Sequence, residues 1–388
     1  MTRHVTGIAR AVDSNRGETM FGFIQSIFAP PACPIGVDFG TDALRLAQVQ
    51  ADNGDFKLLA AAAAEIPANV RSDADARLEF FAEHARHLLN TGKFRGRQAV
   101  LGVPPSVVHT QQLVLEPMDQ KSLDETIATC AKQKLPFDPA RALLRHAVVG
   151  QTRDGDDPRV HVIVMAADTR WINQFVAAAR KARLDVVAMN MQPMALLDCF
   201  ANVYRRTAEQ QTVRLYVDIG SGGTRAVIGQ GTHLLFARNL AIGGDHLTRA
   251  VADRLAIGFQ DARTLRIKLC AGAAAGTNTG ANSLQVESAC RQALEELIQD
   301  LDGCRREHEL AFPHLAVNRL IFVGGEARHE GLCQHIADSL KLPGQTGDCL
   351  CRMARNSRIG IESAIDRRHP QPAWSAAIGL SMGPSSGE

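Results

Sequence analysis

The chain has 388 residues, 45% apolar and 22% charged, too long for one ordinary core and balanced like a globular protein. With 43 Lys and Arg against 41 Asp and Glu, and only 5% aromatic residues, it lacks the basic excess and the base-stacking rings of a nucleic-acid binder. Its nine scattered cysteines read as reduced thiols, and no run of about 18 apolar residues is present to span a bilayer.

Residues 1–33 read as an N-terminal extension with a short apolar segment, Met20 to Phe28, before the break Ala29-Pro30-Pro31-Ala32. Met20 is an alternative start, and the apolar segment is either a packed element or a peripheral contact with a membrane or partner. Pro34 to Gly40 then forms an apolar strand interrupted by Asp38, followed by strands Ala43 to Gln50 and Phe56 to Glu65 around the turn Asn53-Gly54. Helical periodicity over 73–91 places Leu78, Phe81, Ala82, Ala85, Leu88 and Leu89 on one face. Ala99 to Val103 is a buried strand closed by Pro104-Pro105. Between about 106 and 165 short strands (Val107 to Leu115, Arg145 to Gly150, Val160 to Ala166) surround a helix at 120–134, which reads as a small inserted α/β subdomain. A helix at 168–183, a strand Asp185 to Met189 and a helix at 193–207 complete a first lobe, residues 34–210.

A second lobe, residues 211–374, opens with the strand Val213 to Ile219 and continues with strands at 225–230 and 233–240. A helix at 246–256 with Asp245 as its N-cap and a helical stretch at 260–270 come next. Ala271 to Asn282 is small and polar and is expected to be a mobile loop. A helix at 285–309, the strand Arg319 to Val323, Gly324-Gly325 and a helix at 330–341 finish the lobe. Residues 375–388 are a final helix, Ser375 to Met382, returning to the first lobe, plus a tail.

Two strands ending in Asp-x-Gly, Asp38-Phe39-Gly40 and Asp218-Ile219-Gly220, each open a β-meander, so a supersecondary unit is repeated. Glycines allow tight turns whose N–H groups face phosphate oxygens. Two such acids facing each other across a cleft can hold the water shell of a Mg²⁺ ion. The strand–Gly324-Gly325–helix segment is a third close-approach point with a helix N-terminus beyond it. Cys349 and Cys351 have no partnering Cys or His motif nearby and read as packing residues.

In GVDFGTDALRL, LPFDPARALLRHAVVG, RLDVVAMNMQPMALLDCF, VDIGSGGTRAVI, ARNLAIGGDHLTRAVADRL and FVGGEARHEGL, taken in order from Met20 to the end, the chain resembles the actin/Hsp70/hexokinase superfamily. Within it the chain resembles the PilM family of type IV pilus assembly proteins, which is related to the division protein FtsA. The resemblance implies an α/β, actin-like fold: two ribonuclease-H-type lobes around a nucleotide cleft, with the small inserted α/β subdomain. It implies a cytoplasmic ATP-binding platform, peripheral at the inner membrane, that docks the short cytoplasmic tail of a PilN-like membrane protein in a groove beside the insertion. Self-association is a further expectation; nucleic acid is not.

Residue by residue, the resemblance assigns Gly36, Asp38, Gly40, Thr41 and Arg45 to the first phosphate loop. It assigns Asp218, Gly220, Ser221, Gly222, Gly223 and Thr224 to the second, with Mg²⁺ held through water by Asp38 and Asp218. Gly243, Gly244, Gly324 and Gly325 would wrap the nucleoside, with Arg266 near base or ribose. Gln192 would orient the attacking water; an amide positions water but cannot take its proton, which implies slow or absent hydrolysis. Three residues depart from the family pattern. Asp42 adds a carboxylate that repels phosphate unless it turns outward, Arg45 replaces a Lys, and Arg225 replaces an acid of the second loop. Two alternatives carry the same fold. A small-molecule kinase needs a carboxylate base that the chain does not offer, and an FtsA-like filament tether needs an amphipathic C-terminal helix.

Overall fold

The computed structural model describes residues 32–52, 54–155, 157–274, 281–354 and 359–383; the apolar segment Met20 to Phe28 and the tail beyond residue 383 lie outside them. In chain order β1 (Ile35–Phe39), β2 (Ala43–Asp52) and β3 (Asp55–Glu65) form a meander, and α1 (Ala74–Thr91) leads to β4 (Gln98–Val103). The chain then leaves this sheet for β5 (His109–Leu115), α2 (Gln120–Lys132), β6 (Ala142–Asp154) and β7 (Asp157–Asp168). It returns through α3 (Thr169–Lys181) to β8 (Asp185–Met191) and α4 (Gln192–Val203).

The first sheet has the order β3-β2-β1-β4-β8, with β1 antiparallel to β2 and parallel to β4. All five residues of β1 are buried, because helices cover both faces of the sheet. On one face α1 and α3 meet it through Phe39, Phe81 and Phe175, whose ring centroids lie 4.9–5.7 Å apart. α1 starts where Asp73 accepts hydrogen bonds from the N–H groups of Asp75 and Ala76, the capping role its short acid favours. Its buried residues are those expected, except that Phe80 joins them in place of the half-buried Ala82.

After the short α5 (Thr207–Gln210), the second half repeats the plan with β9 (Val213–Ile219), β10 (Thr224–Gln230), β11 (His233–Leu240) and α6 (Gly244–Leu255). It continues with α7 (Phe259–Ala274), α8 (Ala281–Ala311), β12 (Arg319–Val323), α9 (Glu330–Leu340) and β13 (Gly344–Thr346). The order β11-β10-β9-β12-β13 reproduces that of the first sheet, including which neighbours are parallel. Finally α10 (Ser375–Met382) lies on the other face of the first sheet, against α4, β1 and β2. There Ser381 Oγ donates to Pro34 O (2.7 Å) and accepts from Val49 N–H (3.0 Å).

β5, β7 and β6 make a separate antiparallel sheet with β7 at its centre. Alternation along β7 serves two cores. Val160, Val162 and Val164 meet Leu123, Ile127 and Ala131 of α2, while Ile163, Met165 and Ala167 join the core shared with Tyr216 and Val227.

Three expectations change. Ala271 to Ala274 and Ala281 to Asn282 are helical, the ends of α7 and α8 rather than loop; residues 275–280 lie outside the described ones. Small residues carry little apolar signal, yet Ala is the best intrinsic helix former. The helix after Gly243 begins at Gly244, so Asp245 sits in its first turn instead of capping it. β13 was not expected at all: it is three residues long and closes its sheet through backbone pairing with β12.

Candidate functional site

The Asp-x-Gly turns are built alike. Gly40 N–H donates to Ala43 O (2.9 Å), and Gly220 N–H donates to Gly223 O (3.0 Å). Arg77 of α1 braces the first turn by donating to Gly40 O (2.9 Å) and Thr41 O (3.1 Å). The second turn is held by the start of α6, where Gly244 N–H donates to Gly220 O (2.9 Å) and Asp245 N–H to Ser221 O (2.8 Å). The turns abut, since a Cβ on Gly222 would stand 2.6 Å from Thr41 Oγ1. Gly324 completes the site from β12 with φ +88°, a left-handed conformation that favours glycine, and a Cβ there would press on Asp218.

Between the turns lies a narrow cleft of about 180 Å³. Asp38, Gly40, Thr41, Arg45, Gln192, Asp218, Gly220, Ser221, Gly222, Gly223, Thr224, Gly324 and Gly325 all line it. Gly36, Gly243, Gly244 and Arg266 do not. Gly36 is glycine because α10 crosses it, with Ser381 N 2.6 Å from where a Cβ would stand. Gly243 lies behind the second turn, against Gly220 O and Ser221 O, and Gly244 lies against Glu326. Arg266 is buried, pairing with Glu326 (2.6 Å) and donating to Gly244 O (2.9 Å) and Thr248 Oγ1 (2.8 Å). These four shape the walls from behind. Ser221 and Thr224 reach the cleft but donate their hydroxyls inward, to Asp245 Oδ1 (2.6 Å) and Ile242 O (2.7 Å). Pro105, Ser106, Asn239, Leu240, Pro372, Ala373, Ser375 and Ala376 also line the cleft and were not anticipated, because no local pattern marks them.

The floor carries a connected set of charges. Asp38 and Arg45 are direct cross-strand partners on β1 and β2, and Asp218 and Arg225 are direct partners on β9 and β10. Both lobes therefore repeat Asp-x-Gly followed by Arg seven residues after the Asp, a longer repeat than the Asp-x-Gly pair alone. Arg45 Nη1 is 3.9 Å from Asp38 Oδ2, and Arg225 pairs with Asp218 through Nη2. Gln192, the first residue of α4, joins the two pairs. Its Nε2–H donates to Asp38 Oδ1 (2.7 Å), and its Oε1 accepts from Arg225 Nη1. Burial pushes the Asp38 carboxyl up to about 6, against the pull of Arg45 and Arg225 and with smaller pushes from Asp218 and Asp42. Asp42 turns to Arg263 of α7 (3.7 Å), which also pairs with Glu65, so the added acid ties the two halves at the cleft mouth.

The Type IV pilus assembly protein PilM family profile matches residues 36–384 of the chain. The chain belongs to the PilM family. Among solved structures, this PilM-family chain is similar to a chain of a PilM–PilN type IV pilus biogenesis complex. That match has 23% identity and a TM-score of 0.73, over 90% of this chain and 97% of that one. It is also similar to the ethanolamine utilization protein EutJ from Carboxydothermus hydrogenoformans, at 15% identity and a TM-score of 0.52, over 92% of this chain and 90% of that one. The fold is the actin-like α/β fold of the PilM family, in agreement with the repeated sheet order.

A hydrated Mg²⁺ needs carboxylates free to accept from its water shell. Here Asp218 is paired with Arg225, while Asp38 faces Arg45 and accepts from Gln192, so the two acids do not form an open pair. Among the described residues no group of three His, Cys, Asp or Glu offers another place for a metal ion. Cys349 instead packs, its Sγ–H reaching Gln371 O at 3.1 Å. Gln192 is likewise held at both ends of its amide, as a connector between the two acid–guanidinium pairs.

Proposed function

We propose that this PilM-family chain is an ATP-binding platform for assembling a type IV pilus or related secretion machine, with slow or absent hydrolysis. The observation that carries the reading is the pair of abutting glycine turns across the cleft, with Arg45 and Arg225 on its floor. Backbone turns and guanidiniums together suit a polyphosphate. Low turnover is supported by Gln192, whose amide is engaged and cannot accept a proton. Gly325 gives a clean test, since it lines the cleft and a Cβ there meets nothing within 4 Å. In Gly325→Trp the Cβ meets no neighbour, so the ring is expected to project into the cleft. Calorimetric ATP affinity is expected to fall about tenfold or more at an unchanged unfolding temperature, and equal affinity in variant and parent would refute the cleft assignment. Steady-state phosphate release by the parent should stay below about one per second.

The same reading places the protein on the cytoplasmic side of an inner membrane, docking the tail of a PilN-like partner. Among the described residues no helix is long and apolar enough to cross a membrane. The β5-β7-β6 sheet supports docking because it offers two edge strands, and Val114 on β5 is 56% exposed. An extended peptide can add to such an edge and seat alternate side chains. Removing the whole insertion is a poor test, since Ile163 and Met165 belong to the main core. Val114→Glu is expected to weaken a synthetic PilN-like tail peptide from micromolar strength by about tenfold, with ATP affinity unchanged. Undiminished peptide binding would move the docking site elsewhere.

A further inference from the structure

We propose that Arg45 and Arg225 take the place of a divalent cation, so that this chain holds the triphosphate of its nucleotide without Mg²⁺. The inference rests on the nucleotide reading above and deepens it. Asp38 stands opposite Arg45 and Asp218 opposite Arg225, so each acid meets a guanidinium through the ladder itself rather than through a chance side-chain conformation. The two pairs occupy equivalent places in the two repeats and both line the cleft. Gln192 then ties them into one unit by donating to Asp38 and accepting from Arg225.

This arrangement disfavours the metal and favours the anion. A Mg²⁺ ion brought between the two acids would meet two guanidiniums that already offset their charge. Like-charge repulsion between the ion and these guanidiniums, strengthened by their burial, opposes its entry. Mg²⁺ also demands near-octahedral oxygen geometry and sheds water reluctantly. A guanidinium remains charged at any working pH and presents five N–H donors in a planar fork. Arg225 spends donors on Asp218 and Gln192 yet retains others, so it can serve the carboxylate and a phosphate oxygen together. Arg45, 3.9 Å from Asp38, is more loosely held and is freer to turn to a phosphate.

Calorimetry of the full chain with ATP, once in excess EDTA and once in excess MgCl₂, tests the idea. The two affinities are expected to agree within about threefold. Arg225→Gln should weaken binding in EDTA by about tenfold or more, and Arg225→Asp, which restores an acid to the second loop, should make binding depend on added Mg²⁺. ATP binding by the parent that collapses about tenfold or more in EDTA overturns the proposal alone and leaves the cleft reading standing. Absence of ATP binding in both buffers overturns both. Full affinity in EDTA for a folded Arg225→Gln also overturns it, because Arg225 would then carry none of the charge. The parent measurement decides the matter even if either variant fails to fold.

Discussion

A Gly379→Val variant is expected to lose roughly 3 kcal/mol or more of stability. Gly379 lies in α10, where this helix crosses α4, and a Cβ at this position would meet the Ala195 carbonyl group, 2.6 Å from its carbon and 3.2 Å from the Ala195 Cα. These are backbone atoms of a buried helix turn, so no side-chain rotation can make room; α10 must lift from the sheet. Lifting it exposes Ile378 and Leu380, both fully buried, and breaks the bonds of Ser381 to Pro34 and Val49. Urea unfolding should show a large drop in midpoint. Gly303→Ala in α8 is the control, since a Cβ there meets nothing within 4 Å and alanine favours a helix by about 1 kcal/mol over glycine. An unchanged midpoint for Gly379→Val would mean that α10 does not pack there.

The second large effect is a pH dependence of stability at Asp38. Burial raises its carboxyl from 3.8 to about 6. A carboxyl with a raised folded-state pKa binds a proton on folding between the two values. Its contribution is therefore fully present below about pH 3.8 and lost as pH rises through about 6. The loss is roughly 3 kcal/mol, from about two units at 1.36 kcal/mol each. Asp38→Asn keeps an oxygen for the Gln192 amide but carries no charge. Relative to the parent it should gain roughly 3 kcal/mol between about pH 4 and about pH 7.5. A parent-to-variant difference that is flat over this range would show that burial does not govern the group.

Much of the architecture was legible because its signals are local. Strands such as Ile35–Phe39 and Val213–Ile219 are short, largely apolar runs interrupted by an acid and ended by glycine, and α1 displays its face every three to four residues. Gly40, Gly220 and Gly222 were legible as cleft residues because a tight turn after a strand needs them. Glycine as such was not diagnostic. Gly36 and Gly244 are small to admit α10 and Glu326, and nothing in a sequence separates a glycine that admits a helix from one that admits a phosphate.

The sequence by itself determined the repeated Asp-x-Gly strands, the order of elements that makes two like sheets, and the placing of Asp38 and Asp218 at equivalent turns. Each follows from patterns within about ten residues of chain, where backbone preference and apolar periodicity act. The tertiary structure alone decided the state of those acids. Gln192 reaches Asp38 across 154 positions, and Arg225 reaches Gln192 across 33. Asp42 finds Arg263 only because the first turn and α7 converge at the cleft mouth. Charge pairing depends on distance in space and on burial. Residue spacing constrains these only within one strand pair, as for Asp218 and Arg225, and leaves them open wherever the folded chain brings distant segments together.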